Sequence, residues 1–336
     1  MILACDVGGT KTNVALFERN DRAWRMVRMD SYPSHDQGSL HEIIAAFVGD
    51  ASLQLEAAGF GVAGSVSGDR ADTTNLPWAV DGRRLARVLG INRVSLLNDV
   101  EIQAWSLLAL EPTDQVTLQA GPRGAGNLAV IAAGTGLGMS ALVRGTGATR
   151  SLASEGGHAD FAPSDETDLA LLRYLRKRFG HVSAERVLSG PGLHNVYEFF
   201  RDRDGGTEPS WLAAAIAAGD PAATVAHAAM DGSSALAEQA VLHFLGAYGA
   251  EAGNWALRTM ATGGVWLGGG VARKLLVGPA GTPDAWQARA RDAFLARFRD
   301  KGRLSGILDA MAVHVIVCDE APLLGAAHFA LSEIGR

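Results

Sequence analysis

The sequence predicts an α/β protein made of two halves, each led by a β-hairpin, with a ligand cleft between them. Three observations predict it. Apolar strand patterns at residues 2–7 and 11–17 enclose the turn Asp6-Val7-Gly8-Gly9-Thr10, and a second Gly/Thr turn, Ala133-Gly134-Thr135-Gly136, lies between apolar runs at 128–132 and 137–143. Each hairpin is then followed by mixed helix and strand patterns. Two such halves imply that both hairpins point at one ligand in the cleft.

In the first half, residues 23–29 read as a third strand and 40–58 carry apolar residues at helical spacing, among them Ile43, Ile44, Phe47 and Val48. Residues 60–63 read as a strand, 81–89 as a short helix, 94–97 as a buried strand and 100–110 as a helix with Ile102, Trp105 and Leu108 on its apolar face. The order is βββαβαβα. At Glu111-Pro112-Thr113-Asp114 the helical pattern stops, which places a domain boundary there: residues 1–110 as a small domain, 111–319 as a large one, and a terminal helix at 320–336 returning to the small one. The second half continues with helices at 165–179 and from 211 to 260, interrupted at 219–221 and at Gly232. A strand at 265–267, the turn Gly268-Gly269-Gly270, helices from 271 and at 285–299, a strand at 313–317 and a helix from Pro322 complete it.

The first hairpin carries the strongest functional signal. Adjacent glycines let backbone approach a ligand and turn N–H groups inward, an anion nest suited to phosphate, and Asp6 at the strand end suits a hydrated Mg²⁺. An ordinary glycine-containing hairpin has the same local pattern. Dinucleotide and Walker loops run from strand into helix, whereas here β-branched and apolar residues continue after Thr10. The segment from Gly59 to Gly64 does match G-x-G-x-x-G, but its glycines lie inside a strand and residues 65–72 read as loop, so the required helix is missing.

With 336 residues, 48% apolar and 20% charged, the chain is sized for a large core in two domains. A net charge of −6 and a pI near 5.8 give no basic footprint for nucleic acid or anionic membrane. Two cysteines, Cys5 and Cys318, exclude a disulfide scaffold or a multi-cysteine zinc site and suit a reducing cytoplasm. No apolar run reaches membrane-spanning length, and a first strand starting at Ile2 leaves no room for a signal peptide or a DNA-binding appendage.

Asn98-Asp99 follows an apolar strand and opens a helix, the position where α/β proteins place reactive groups; it is also where Asn and Asp serve as helix caps. Ser154-Glu155-Gly156-Gly157-His158, with Asp160 close by, sets a carboxylate and an imidazole around two glycines, a pattern that can fork around a polyol. The same side chains are possible metal ligands, but they lack the thiolates and the fourth ligand of a structural zinc site. Glu185 precedes the turn signal Ser189-Gly190-Pro191-Gly192 and reads either as a loop carboxylate or as a solvated helix-end charge. Gly268-Gly269-Gly270 leaves a surface without Cβ atoms on which a flat base can lie. His243 and His328 sit in apolar helical patterns and read as satisfied core residues.

Taken together, these segments resemble, nearly end to end, the bacterial glucokinase family of the sugar kinase/heat-shock protein/actin superfamily. Asp6 to Thr10 resembles that family's first phosphate hairpin, Gly134-Thr135-Gly136-Leu137-Gly138 the second, and Gly268-Gly269-Gly270 the adenosine turn. The resemblance implies Asp99 as catalytic base and Asn98, Glu155, His158 and Glu185 as sugar ligands, with Asn75 in Thr74-Asn75-Leu76-Pro77-Trp78 facing the sugar. It further implies the duplicated actin-like ATPase (ribonuclease H-like) fold closing on its sugar. ATP and Mg²⁺ are the implied cofactors, for a cytoplasmic homodimer at the start of glycolysis.

Two departures bear on selectivity. Ala63-Gly64-Ser65-Val66 has serine where the family places proline, and Gly9-Thr10-Lys11-Thr12 is closer to the repressor/kinase (ROK) branch, whose cysteine-rich zinc motif this chain lacks. Alternative readings are a kinase for another hexose or an amino sugar, a non-catalytic sugar-binding regulator on the same fold, and a filament or chaperone ATPase, for which the long sugar motifs have no purpose.

Overall fold

The computed structural model describes residues 1–336 except 21–22, 50–52, 74–75, 123, 204–207 and 335–336. The chain divides into two compact units, one of Met1–Asp114, Ser151–Ala153 and Cys318–Arg336, the other of Gln115–Arg150 and Ser154–Val317.

The main sheet of the first unit runs in the order Ala23–Pro33, Lys11–Asn20, Ile2–Val7, Ala57–Val62, Ser95–Asn98. Its first three strands are antiparallel neighbours, whereas Ile2–Val7, Ala57–Val62 and Ser95–Asn98 are parallel. Ile2–Val7 is apolar at almost every position because both of its faces are covered. Leu3, Cys5 and Val7 pack with Ile43, Ile44 and Phe47 of the helix Leu40–Val48 and Leu85 of Gly82–Leu89. Ile2 and Ala4 pack with Ile102 of the helix Asp99–Ser106 and with Leu323, Ala326 and Ala330 of the terminal helix Ala321–Ser332.

Two expectations fail in this unit. The helical pattern at 40–58 is cut at Gly49, which adopts φ +56 and closes the helix through its N–H to Ala45 O. The apolar residues beyond it belong to the buried strand Ala57–Val62, which periodicity alone does not separate from helix. Residues 65–72, expected as loop, form the hairpin Gly64–Ser67 and Arg70–Thr73. The spurious dinucleotide glycines have a packing role: a Cβ on Gly59 would lie 2.1 Å from Ala326 O and one on Gly61 2.0 Å from Ile102 Cδ1. They let two helices rest directly on the sheet.

The second unit repeats the plan. Its sheet includes Leu137–Val143, Leu128–Ala133, Gly264–Gly268, Val313–Ile316 and Gln115–Gln119 in that order, again a hairpin followed by two parallel strands, here with an antiparallel strand at the edge. The long helix Ala235–Thr259 packs on Asp284–Arg299 through small residues, so closely that a Cβ on Gly249 would lie 2.0 Å from Phe294 O. Gly190-Pro191-Gly192, read as a turn, instead opens the helix Gly190–Arg203. In a first helical turn proline needs no N–H partner, and Ser189 Oγ accepts the Gly192 N–H at 3.0 Å.

Candidate active site

In the first unit the candidate residues gather at the carboxyl edge of the parallel strands, where α/β sheets hold ligands. Asp6, Gly61 and Leu97 share one row across three strands, and Asn98 and Asp99 follow immediately. Asn98 is the helix cap: its Oδ1 accepts the Val100 N–H at 2.9 Å, and its Nδ2 donates to Gly64 O at 3.0 Å. Among the described residues, nothing takes the other N–H and lone pair of that amide. Asp99 occupies the first helical turn, its Oδ1 3.1 Å from the Val100 N, and its charge is felt at Asp6.

The Asp6 carboxyl is pushed up to about 6 by burial and by the Asp99 charge, with Lys11 and the cross-strand Asn13 amide acting against the shift. A carboxylate buried at a strand edge and within reach of a second one's charge is costly to the fold and typical of functional sites. Because this folded-state pKa is raised, the fold favours the acid form. Stability from this group is greatest below the unfolded value near 4, falls as pH rises from about 4 to 6, and stays reduced above that. Asp6→Asn is therefore expected to stabilise the protein by about 1–3 kcal/mol near neutral pH, with the gain vanishing below about pH 4. Thermal melts of both proteins across that range check it; an equal or lower melting temperature for the variant near pH 7 would contradict the assignment.

The Gly8-Gly9 turn works differently from the expectation. Neither glycine has a positive φ, so the alternating nest conformation is not formed. Gly8 N–H closes the turn on Lys11 O at 3.1 Å, and a Cβ on Gly8 would lie 3.0 Å from that oxygen. Gly8 makes this close approach without a positive φ. Val7 lies in the core with its carbonyl accepting the Ala63 N–H, while Thr10 is exposed and its carbonyl accepts the Ser34 N–H. Sequence reasoning missed Ser34. Fully buried, it donates to Gly8 O at 2.7 Å and contacts Thr12 Oγ1 at 2.9 Å, bracing the turn from behind.

In the second unit the candidate segments converge on the turn at 134–136. Gly190 N–H donates to Gly134 O at 2.8 Å, and Glu185 Oε2 accepts the Leu137 N–H at 3.0 Å. The segment with Glu155 and His158, both exposed, joins this group through an Asp160–Ser183 bridge and the Ala184 N–H to Ala159 O bond. Gly269 takes φ +78 and a Cβ there would lie 2.2 Å from Ala133 O, so only glycine permits this contact. Around a Cβ placed on Gly270 or Gly134 there is open space, and both line a cavity of about 580 Å³ with Thr135. Gly136, Gly268 and Gly269 do not line it. The start of the helix Pro221–Met230, capped by Asp220, lines it too, as do Val271, Lys274 and Leu275. Sequence reasoning took Gly219-Asp220-Pro221 only as a helix break; nothing local marks it as a pocket wall.

Asn75 lies outside the described residues. His243 Nε2 stands 3.0 Å from Asp168 Oδ1, whereas His328 packs between Trp24 and Trp105 with no hydrogen-bond partner for Nδ1 among the described residues. No three His, Cys, Asp or Glu side chains group as a metal site among the described residues. No helix among them is long and apolar enough to cross a membrane.

Two α/β units, each with a glycine-bent hairpin at its leading strand and a carboxyl-edge or pocket site, define a sugar kinase of the actin-like ATPase fold. Residues 3–333 match the family model for glucokinase. The chain is 38% identical to the glucokinase of Nostoc sp. (strain PCC 7120) over 97% of this chain and 98% of that one. It superimposes on the crystal structure of a glucokinase from an Antarctic psychrotroph with a TM-score of 0.86 at 29% identity, covering 99% of both chains. A ROK hexokinase from Thermus thermophilus shares the fold with a TM-score of 0.67 at 20% identity, covering 100% of this chain and 99% of the other. The chain belongs to the glucokinase family.

Proposed function

We propose that the protein transfers the γ-phosphoryl group of ATP to the 6-hydroxyl of glucose, with Asp99 as general base. The observation that carries this reading is the division of labour at Asn98-Asp99: Asn98 supplies the helix cap, and Asp99 stands beside Asp6 at the carboxyl edge. A sugar hydroxyl is a poor nucleophile until its proton has an acceptor, and a positioned base contributes ~10²–10⁴-fold. The oxygen then attacks the γ-phosphorus and ADP leaves.

Asn98, Asn75, Glu155, His158 and Glu185 orient the hexose on this reading. The 580 Å³ cavity takes the adenosine, with Gly270 under the base and Gly134 and Thr135 toward the phosphates. The first hairpin, Asp6 to Thr10, supplies further phosphate contacts on this reading. Mg²⁺ fits the electrostatically stressed Asp6 carboxylate, because this ion keeps several waters and draws its other ligands from phosphate. When bound, it neutralises charge on the transferring group. The two units act as the enzyme's small and large domains, and the enzyme works as a cytoplasmic homodimer.

A coupled ATP-turnover assay over a panel of sugars tests this. Glucose is expected to give the highest kcat/KM, and turnover without any sugar is expected to be negligible. A second reading, preference for another hexose or an amino sugar, has one observation behind it: the departure at Ser65 adjoins Gly64, whose carbonyl holds the Asn98 amide. A higher kcat/KM for such a sugar would favour it, and absence of turnover with every sugar would favour the non-catalytic regulator.

Charged hydrogen bonds contribute roughly 1.5–3 kcal/mol, so Glu155→Gln is expected to weaken glucose binding by about tenfold or more. Calorimetry checks this, and an unchanged affinity would remove Glu155 from the hexose site.

A further inference from the structure

The segments carrying the proposed hexose carboxylates meet on the backbone of one residue, Leu137, which follows the Gly134-Thr135-Gly136 turn directly. Its N–H donates to Glu185 Oε2 at 3.0 Å. On its other side Gly157, between Glu155 and His158, comes so near that a Cβ would lie 1.9 Å from Leu137 O. Glu185 also lies against the turn itself, since a Cβ on Gly136 would be 2.6 Å from Oε2. With Gly190 N–H on Gly134 O at 2.8 Å, residues 185–190 hold both ends of the turn whose Gly134 and Thr135 line the proposed nucleotide cavity.

A carboxylate hydrogen-bonded to the N–H beside a phosphate-binding turn opposes a second anion there. A hexose hydroxyl donating to that same carboxylate reduces its hold on the turn. We propose that Glu185 is a positioning residue that makes hexose and triphosphate binding cooperative through the Leu137 N–H. Without sugar its charge, held against the turn, opposes the triphosphate; with sugar bound, a hydroxyl shares that charge and the turn accepts the triphosphate. Binding of each ligand then favours the other by the same factor, as linkage requires. The inference rests on the kinase reading above.

Calorimetric titration of the Mg²⁺ salt of AMPPNP, with and without saturating glucose, tests it in the full chain. In the wild type, glucose is expected to tighten AMPPNP by about fivefold or more. In Glu185→Gln the neutral amide can still accept the Leu137 N–H, so the turn stays in place. AMPPNP is then expected to bind the sugar-free variant about fivefold or more tighter than it binds the sugar-free wild type, with less than about twofold further gain from glucose. Glu155→Gln, saturated with sufficient glucose, is expected to keep the wild-type coupling. Sugar-free AMPPNP affinity that is unchanged or weaker in Glu185→Gln would overturn the inference even if that variant no longer binds glucose. Wild-type coupling retained in that variant would overturn it equally. A wild type that binds no glucose would overturn the kinase reading and this inference together.

Discussion

Asp99→Ala is expected to lower kcat by at least about 10²-fold while glucose binding stays measurable. The loss falls on kcat because the carboxylate acts on a proton that moves only as the phosphoryl group is transferred. The fold should tolerate the change. Asn98, not Asp99, makes the cap that closes the helix Asp99–Ser106, and its side chain is anchored separately on Gly64 O. Removing Asp99 also takes one charge away from Asp6, which acts against the loss of its 3.1 Å contact with the Val100 N–H. Steady-state kinetics and a thermal melt on the same preparation separate the two effects. Near-normal turnover would remove Asp99 from the chemistry, and a collapsed melting temperature would make its role structural.

Asp168→Ala is expected to cost about 3–5 kcal/mol, roughly a 10 °C fall in the melting temperature of the second unit. Asp168 is fully buried at the start of the helix Glu166–Phe179 and gathers contacts from three elements. The Ser164 N–H and Oγ donate to it at 2.9 and 3.1 Å, Arg297 pairs with it, and His243 stands 3.0 Å away. Burial alone would raise its pKa, but His243, Arg297 and Ser164 outweigh burial and hold it well below the usual carboxylate range. A depressed folded-state value means the stabilisation is present above the unfolded pKa near 4 and is lost as pH falls through the folded value. The wild type and the variant are therefore expected to converge in strong acid. The substitution leaves Arg297 without its buried partner, which is why it costs more than an exposed pair would. Because Ser164 ends the loop that begins at Glu155, a raised glucose KM is expected to accompany the lower stability. A melting temperature within a degree or two of the wild type would show that this network does not hold the second unit together.

Much of this molecule is written in short stretches of sequence. Both hairpins are legible because apolar alternation, a glycine turn and renewed alternation are local signals, and the repeat of that pattern exposes the duplication. Asn98-Asp99 is legible as a strand-to-helix junction, because an apolar strand ending in Asn-Asp before a helical pattern is a cap signal, and Asn98 is that cap. What stays hidden depends on distant partners. Ser34 braces the first turn from 26 residues away, in a Tyr-Pro-Ser-His stretch with no periodicity to mark it. The convergence of Glu185 and Gly157 on Leu137 arises only after three separate segments pack, as does the pocket wall at Asp220. Gly49 and Gly190-Pro191-Gly192 mislead in opposite ways. The first ends a helix inside an apolar run, and the second begins one where turn residues cluster.

The most direct test of the account is a crystal structure of the protein with glucose and an unreactive ATP analogue. An Asp99 carboxylate oxygen is expected within about 3 Å of the glucose 6-hydroxyl, on the side away from the nucleotide. An Asp99 side chain remote from every sugar oxygen, with both ligands in place, would contradict it.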